Sequence, residues 1–230
     1  METSHYEHCQ YSIRLIEKLK LLDTKNVLDF KLINKGIYWA KKYHGDQKRK
    51  SGEPYYSHPL EVAYMVSGYN LKTDVIVASI LHDIIEDTEV TAGMILDNFS
   101  WRIAEMVDRL TRDRPDGSKL SIKEILDRAY QSEDEEVLII KLFDRLHNVQ
   151  TLDAMKPDKK IQTIEETLLY FISMSMYYNV THVIINLGEI CSNILSNART
   201  QHSLSPKFSY CDFKLPSPNS NLLKCSMPNV

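Results

Sequence analysis

The chain has 230 residues, 43% hydrophobic and 26% charged, which is enough apolar material for a real core in one ordinary domain. A formal net charge of −3 gives no reason to expect binding to bulk nucleic acid. Only seven glycines argue against a turn-rich β-sandwich and towards helices.

Helical periodicity dominates from the start. Apolar spacing predicts helices over 11–22 and 30–44, the second ending before the segment GDQKRKSGEPYYSHP, which reads as an ordered loop. Residues 58–69 restart a helix, with Pro59 suited to its first turn. Residues 73–87, TDVIVASILHDIIED, are apolar nearly all round and predict a central helix. Thr91 can cap a short helix, 99–112 forms another, and RDRPDGS is a surface loop. Ser121 with Glu124 makes a capping-box pattern at the start of a helix over 122–132. Residues 135–155 predict a second central helix, Pro157 opens another, and 181–197 forms the last. No internal repeat and no β-pattern is found, so the expected fold class is all-α.

The four cysteines (Cys9, Cys191, Cys211, Cys225) are widely spaced and form no CxxC pair, so they read as reduced thiols. The opening METSHYEHCQ is polar and acidic, unlike a signal peptide. No apolar stretch approaches the ~20 residues that span a bilayer. The expectation is a cytoplasmic protein with no membrane association.

The stretch LHDIIEDTEV, 81–90, interrupts an apolar run with His82, Asp83, Glu86 and Asp87. Unpartnered buried charges are costly, so something must compensate them. On a continuous helix, His82 to Glu86 and Asp83 to Asp87 are i,i+4 steps. In 135–155, Asp144, Asn148 and Thr151 share one polar stripe, with Lys141 one turn earlier. Two polar stripes in core helices suggest one internal site, and its most economical occupant is a divalent metal. His58, His82, Asp83 and Asp144 make a mixed nitrogen and oxygen set that suits Mn, Fe, Zn or Co. Singly, each has a plainer reading: His58 as a cap, His82–Asp83 as a core pair, Asp144 as a partner of Arg145.

Together these four residues match the ordered pattern H…HD…D of the HD phosphohydrolase superfamily. The flanking blocks QKRKSGEPYYSHPLEVA, LHDIIEDTEVT and IIKLFDRLHNVQTL closely resemble the hydrolase domain of RelA/SpoT-type alarmone enzymes. The likeness is strong from Phe30 to Met155 and weaker to about residue 195.

That resemblance implies a compact multi-helix HD-domain bundle with its metal site between central helices. The chain is read as an N-terminal helix (1–25), an HD-type phosphohydrolase domain (26–199) and, from its polar, Ser- and Asn-rich composition, a tail (200–230) that is mobile or only loosely docked. The resemblance implies Mn²⁺ bound through His58, His82, Asp83 and Asp144, with Zn, Fe or Co as substitutes. Glu86 and Asp87 would orient or activate the attacking water and move its proton. The reaction would remove pyrophosphate from the 3′ position of (p)ppGpp, leaving GDP or GTP. Arg49, Lys50 and Ser51 match nucleotide-contacting positions, and Asn148 and Thr151 match residues that reach the sugar and base. Their plainer readings are a solvated basic patch for the loop, hydrogen bonds within the bundle for Asn148 and Thr151, and a solvated helix end for Glu86 and Asp87. His44 fits a packing role as well as a substrate contact.

The chain departs from the family pattern at Phe143 (usually Ala), at Val149–Gln150 (usually Met–Arg) and in SMSMYYNVTHV, which lacks the family's Arg and Gly. Pocket shape and substrate preference are therefore open. The alternatives are removal of the 2′-phosphate of NADPH or another nucleotide, and alarmone binding without turnover. With about 30 residues after the last predicted helix, no synthetase activity is expected; nothing in the sequence bears on oligomeric state.

Overall fold

The computed structural model describes residues 9–113, 116–152, 157–178 and 180–201. The chain divides into two compact units, Met1–Met155 and Lys156–Val230.

The first unit holds nine helices among its described residues: α1 (Gln10–Leu22), α2 (Phe30–His44), α3 (Ser57–Val66), α4 (Thr73–Leu81), α5 (Ile84–Asp87), α6 (Ala92–Asn98), α7 (Trp101–Leu110), α8 (Ile122–Gln131) and α9 (Glu135–Gln150). Their starts follow local chemistry. Side chains of Asp29, Thr91, Ser100, Ser121 and Asp134 each accept a hydrogen bond from a first-turn amide, satisfying donors that have no partner within the helix. Ser121 and Glu124 form the expected capping box.

The central element is α4, packed against α2, α3 and α7. Every residue from Val75 to Leu81 is buried. Each fully buried aliphatic side chain contributes about 1.5–3 kcal/mol, which makes α4 the anchor of the unit. Gly36 on α2 allows close approach, since a Cβ there would lie 3.3 Å from Val77 Cγ1. Among the described residues there are no strands, only the isolated bridges Lys48–Pro54 and Asp113–Lys119.

The predicted helix over 73–87 is not continuous. It stops at Leu81 and resumes at Ile84, with Asp83 at φ −100°, ψ −4°. The His82 ring takes the Ser79 carbonyl through Nδ1 at 2.8 Å, so a side chain competes for a helical acceptor. The Asp83 carbonyl still accepts from the amides of Glu86 and Asp87, both at 3.1 Å, so one turn separates Asp83 from Asp87 as expected. The helix predicted over 58–69 ends at Val66, and that over 135–155 ends at Gln150, with Thr151 as its cap.

The loop between α2 and α3 is ordered by its own backbone. Arg49 N donates to Glu53 O at 2.9 Å, and Tyr55 N donates to Gln47 O at 2.8 Å. Gly52 makes the turn at φ +93°, which only glycine adopts without strain.

In the second unit, α10 (Pro157–Glu166) runs through a π-helical turn (Thr167–Phe171) into α11 (Ile172–Tyr177), followed by α12 (Thr181–Gln201). The last helix thus extends past the predicted 181–197. Helices α11 and α12 pack on each other, and Phe171, Met174, Val183, Leu187 and Cys191 are buried. Most of the predicted mobile tail, 202–230, lies outside the described residues. Among the described residues, no helix is long and apolar enough to cross a membrane.

Candidate metal centre

Three elements bring the candidate ligands together. His58 sits in the first turn of α3, His82 and Asp83 lie in the break after α4, and Asp144 projects from α9. One ligand atom from each of His58, His82 and Asp144 lies within 4.8 Å of the others. His58 Nε2 is 3.2 Å from Asp144 Oδ1 and 3.4 Å from Asp83 Oδ2. His82 Nε2 is 3.2 Å from Asp83 Oδ1 and 3.7 Å from Asp144 Oδ1. Asp83 therefore flanks both rings, beside the compact group of three.

The decisive atom is His82 Nε2. The ring is fully buried, its Nδ1 faces the Ser79 carbonyl, and Nε2 has no hydrogen-bond partner despite the nearby carboxylates. A carbonyl only accepts, so Nδ1 carries a proton, and Nε2 is the ring atom turned to the carboxylate-lined space. An orphaned buried nitrogen is costly, and a divalent cation accounts for it with the ligand types such cations take.

Electrostatics point the same way. Burial alone would lower the His82 pKa, but facing Asp83 and Asp144 carry it up to about 9. A proton and a metal ion thus compete for one lone pair. His58 is lowered, chiefly by burial. Burial raises the carboxyl of Asp144, but Lys141, with Nζ 3.3 Å from Oδ2, and the histidines hold it well below the usual range. For Asp83 too, the two histidines outweigh burial and keep the carboxylate ionised. The site gathers two carboxylates and two imidazoles around one space, with the Lys141 ammonium beside Asp144.

The two further carboxylates diverge. Glu86 Oε1 accepts the Arg112 amide at 2.5 Å, and Oε2 lies 4.0 Å from Lys119 Nζ, so Glu86 faces the segment after α7. Asp87 Oδ2 accepts the Tyr55 hydroxyl at 2.5 Å, and that hydroxyl lies 3.4 Å from Asp83 Oδ2. Burial raises the pKa of both Glu86 and Asp87.

The loop residue Arg49 reaches α9: its guanidinium donates to Asn148 Oδ1 and Thr151 Oγ1, both at 3.1 Å. Asn148 Nδ2 donates to Asp144 Oδ1 at 2.6 Å. The structure thus joins three of the five predicted nucleotide contacts, while Lys50 and Ser51 stand exposed on the loop. His44 is buried, its ring stacked on Tyr55 at 4.7 Å, consistent with packing. Phe143 is buried with its ring 5.1 Å from that of Tyr69.

Two residues at the site escaped sequence reasoning. Tyr55 looked like one more aromatic in GEPYYSHP. His147 follows Asp144 by three positions on α9, and that spacing was the available signal. Its Nδ1 lies 2.8 Å from His58 Nδ1. Burial, with the neighbouring His58 and Arg49, depresses His147 to about 3.

A family profile described as HD domain matches residues 37–174, more than half of the chain. The chain belongs to the HD-domain family. A GTP pyrophosphokinase rsh of Brucella ovis is 40% identical over 148 residues, 60% of this chain and 19% of that protein. A guanosine-3′,5′-bis(diphosphate) 3′-pyrophosphohydrolase of Aquifex aeolicus is 36% identical over 142 residues, 59% of this chain and 20% of that protein. This HD domain therefore spans about a fifth of the length of those relatives. The solved structure of a metazoan ortholog of SpoT, described as hydrolysing ppGpp, superposes with a TM-score of 0.51 at 19% identity, covering 80% of this chain and 95% of that one. This likeness supports the all-α fold; the family profile and the relatives make the chain an HD domain of the RelA/SpoT type.

Proposed function

We propose that this HD domain hydrolyses the 3′-pyrophosphate of (p)ppGpp to GDP or GTP and pyrophosphate, with Mn²⁺ held by His58, His82, Asp83 and Asp144. The observation that carries the reading is the orphaned His82 Nε2, buried among two carboxylates and a second histidine. The substrate class is supported by the relatives, one of which is named for this reaction.

A divalent cation bound there supplies a water of lowered pKa and offsets phosphoryl charge. The protein's own groups do the rest. Asp87 and Glu86, raised by burial, lie closer to the range in which a carboxylate takes and returns a proton. Tyr55 keeps one oxygen of Asp87 engaged and its orientation fixed. Arg49, braced by Asn148 and Thr151, offers the planar cation on which a guanine ring stacks. Lys50 and Ser51 supply an ammonium and a hydroxyl for phosphate oxygens. In the reaction the water oxygen bonds to the phosphorus next to the 3′ oxygen as that P–O bond breaks. The water proton passes to a carboxylate, and the 3′ oxygen ends as a hydroxyl.

The test is product analysis of metal-stripped and Mn-reloaded protein given ppGpp, with NADPH in parallel and Zn, Fe and Co reloads alongside. Mn-dependent release of pyrophosphate and GDP is expected. Phosphate from NADPH alone would move the reaction to a 2′-phosphate. Tight ppGpp binding without turnover would make the domain a sensor.

A further inference from the structure

We infer that His147 is a positioning residue that fixes the tautomer of His58, accepting the proton of its Nδ1 so that Nε2 is left free to bind a cation. The inference rests on the metal reading proposed above.

His58 is 1% exposed and its two ring nitrogens face opposite ways. Nε2 is turned to Asp144 and Asp83 at 3.2 and 3.4 Å. Nδ1 is turned to His147 Nδ1 at 2.8 Å, the ring centroids lying 4.8 Å apart. Two ring nitrogens at that separation share one proton: one donates and the other accepts. If His147 donated, neutral His58 would carry its proton on Nε2, facing the carboxylates, and could not ligate. Only with His58 as donor is the Nε2 lone pair available. His147 then holds its own proton on Nε2.

The two histidines of the centre are thus secured differently. His82 donates to a backbone carbonyl, which can never donate back. His58 leans on an imidazole, which can do either. Ligating histidines ordinarily give their second N–H to a carboxylate, a carbonyl or water, and losing that partner weakens metal binding about 10–100-fold. Here α9 provides both Asp144 and, three residues on, the group that holds His58.

The experiment titrates metal-stripped protein with Mn²⁺ calorimetrically, comparing wild type, His147→Asn and His147→Leu. Asn retains a side-chain carbonyl that can accept; Leu fills similar space and cannot. His147→Leu should weaken Mn²⁺ binding at least about tenfold, and His147→Asn should stay within about threefold of wild type. Equal affinity for Leu and wild type, or equal weakening by Asn and Leu, would overturn the inference while leaving the metal reading intact. Wild type without Mn²⁺ affinity would end both. Should the Leu variant fail to fold, long-range ¹H–¹⁵N spectra of wild type loaded with diamagnetic Zn²⁺ decide directly. The proton is expected on Nδ1 of His58 and Nε2 of His147; a protonated His147 Nδ1 would sink the idea.

Discussion

Arg49 and Asn148 are 99 residues apart in the chain, yet the guanidinium of one donates to the side-chain carbonyl of the other at 3.1 Å. Asn148 in turn donates to Asp144 at 2.6 Å. The loop between α2 and α3 and a candidate metal ligand are thus two hydrogen bonds apart.

This link separates two effects that a single mutation could confuse. Arg49→Ala removes the stacking cation and leaves Asn148 bonded to Asp144. It should raise KM for ppGpp about tenfold, equivalent to ~1.4 kcal/mol, while Mn²⁺ affinity changes less than about threefold. Steady-state kinetics and a metal titration on one preparation measure both. Unchanged KM would mean that guanine does not rest on Arg49.

His82→Ala should abolish Mn²⁺ binding, and thermal unfolding offers a readout independent of turnover. A ligand at 100 times its Kd stabilises the folded state by about 2.7 kcal/mol. Wild type should show that Mn-dependent rise in stability and His82→Ala should not. An equal rise in both would place the cation elsewhere.

Tyr55→Phe keeps the ring stacked on His44 and removes only the hydroxyl that bonds Asp87. A hydrogen bond to a charged group is worth about 1.5–3 kcal/mol, so kcat should fall about tenfold or more. KM and Mn²⁺ affinity should hold. An unchanged kcat would remove Asp87, or its orientation, from the rate-limiting step.

Acid stability is expected to depend on a cluster away from the centre. Arg102 donates to both oxygens of Asp134, at 3.0 and 2.7 Å, and Arg109 adds a third bond at 3.0 Å. Burial would raise the Asp134 carboxyl, but Arg102 carries it below its ordinary value. A depressed carboxyl stabilises the fold fully above its unfolded pKa of ~3.9, and that stability is lost as pH falls through the folded value. Arg102→Met should therefore cost about 2 kcal/mol at pH 7, with the deficit shrinking below about pH 4. Urea unfolding at pH 7, 4 and 3 measures it; a deficit independent of pH would assign the loss to packing.

Much of this architecture was legible in advance. Helix α2 begins and ends where apolar spacing and the Gly–Asp pair placed it, and the Ser121–Glu124 box formed as read. The convergence of His82 and Asp144 was legible because two polar stripes in buried helices need a common neighbour, and His58 joined them through the ordered H…HD…D pattern. The break at His82–Asp83 was not, because it depends on a ring reaching back to the Ser79 carbonyl, and periodicity cannot show which acceptor a side chain takes. Nor could spacing show that Glu86 turns to Arg112 while Asp87 turns to Tyr55, since those contacts cross 26 and 32 residues. His147 was passed over although it follows Asp144 by three positions, because spacing alone cannot show that its ring meets that of His58, 89 residues earlier.

The burial of α4 has a kinetic consequence. With Val75 to Leu81 enclosed on every side, its amides can exchange with solvent only when the whole first unit opens. Gly52, Lys50 and Ser51, exposed at the turn between α2 and α3, need far less to open. A hydrogen-exchange map should therefore place the slowest protons of the unit immediately beside His82 and some of the fastest around Lys50. A nucleotide arriving here would meet a floor already set and adjust only the rim, so binding should protect the loop from exchange and leave α4 as it was.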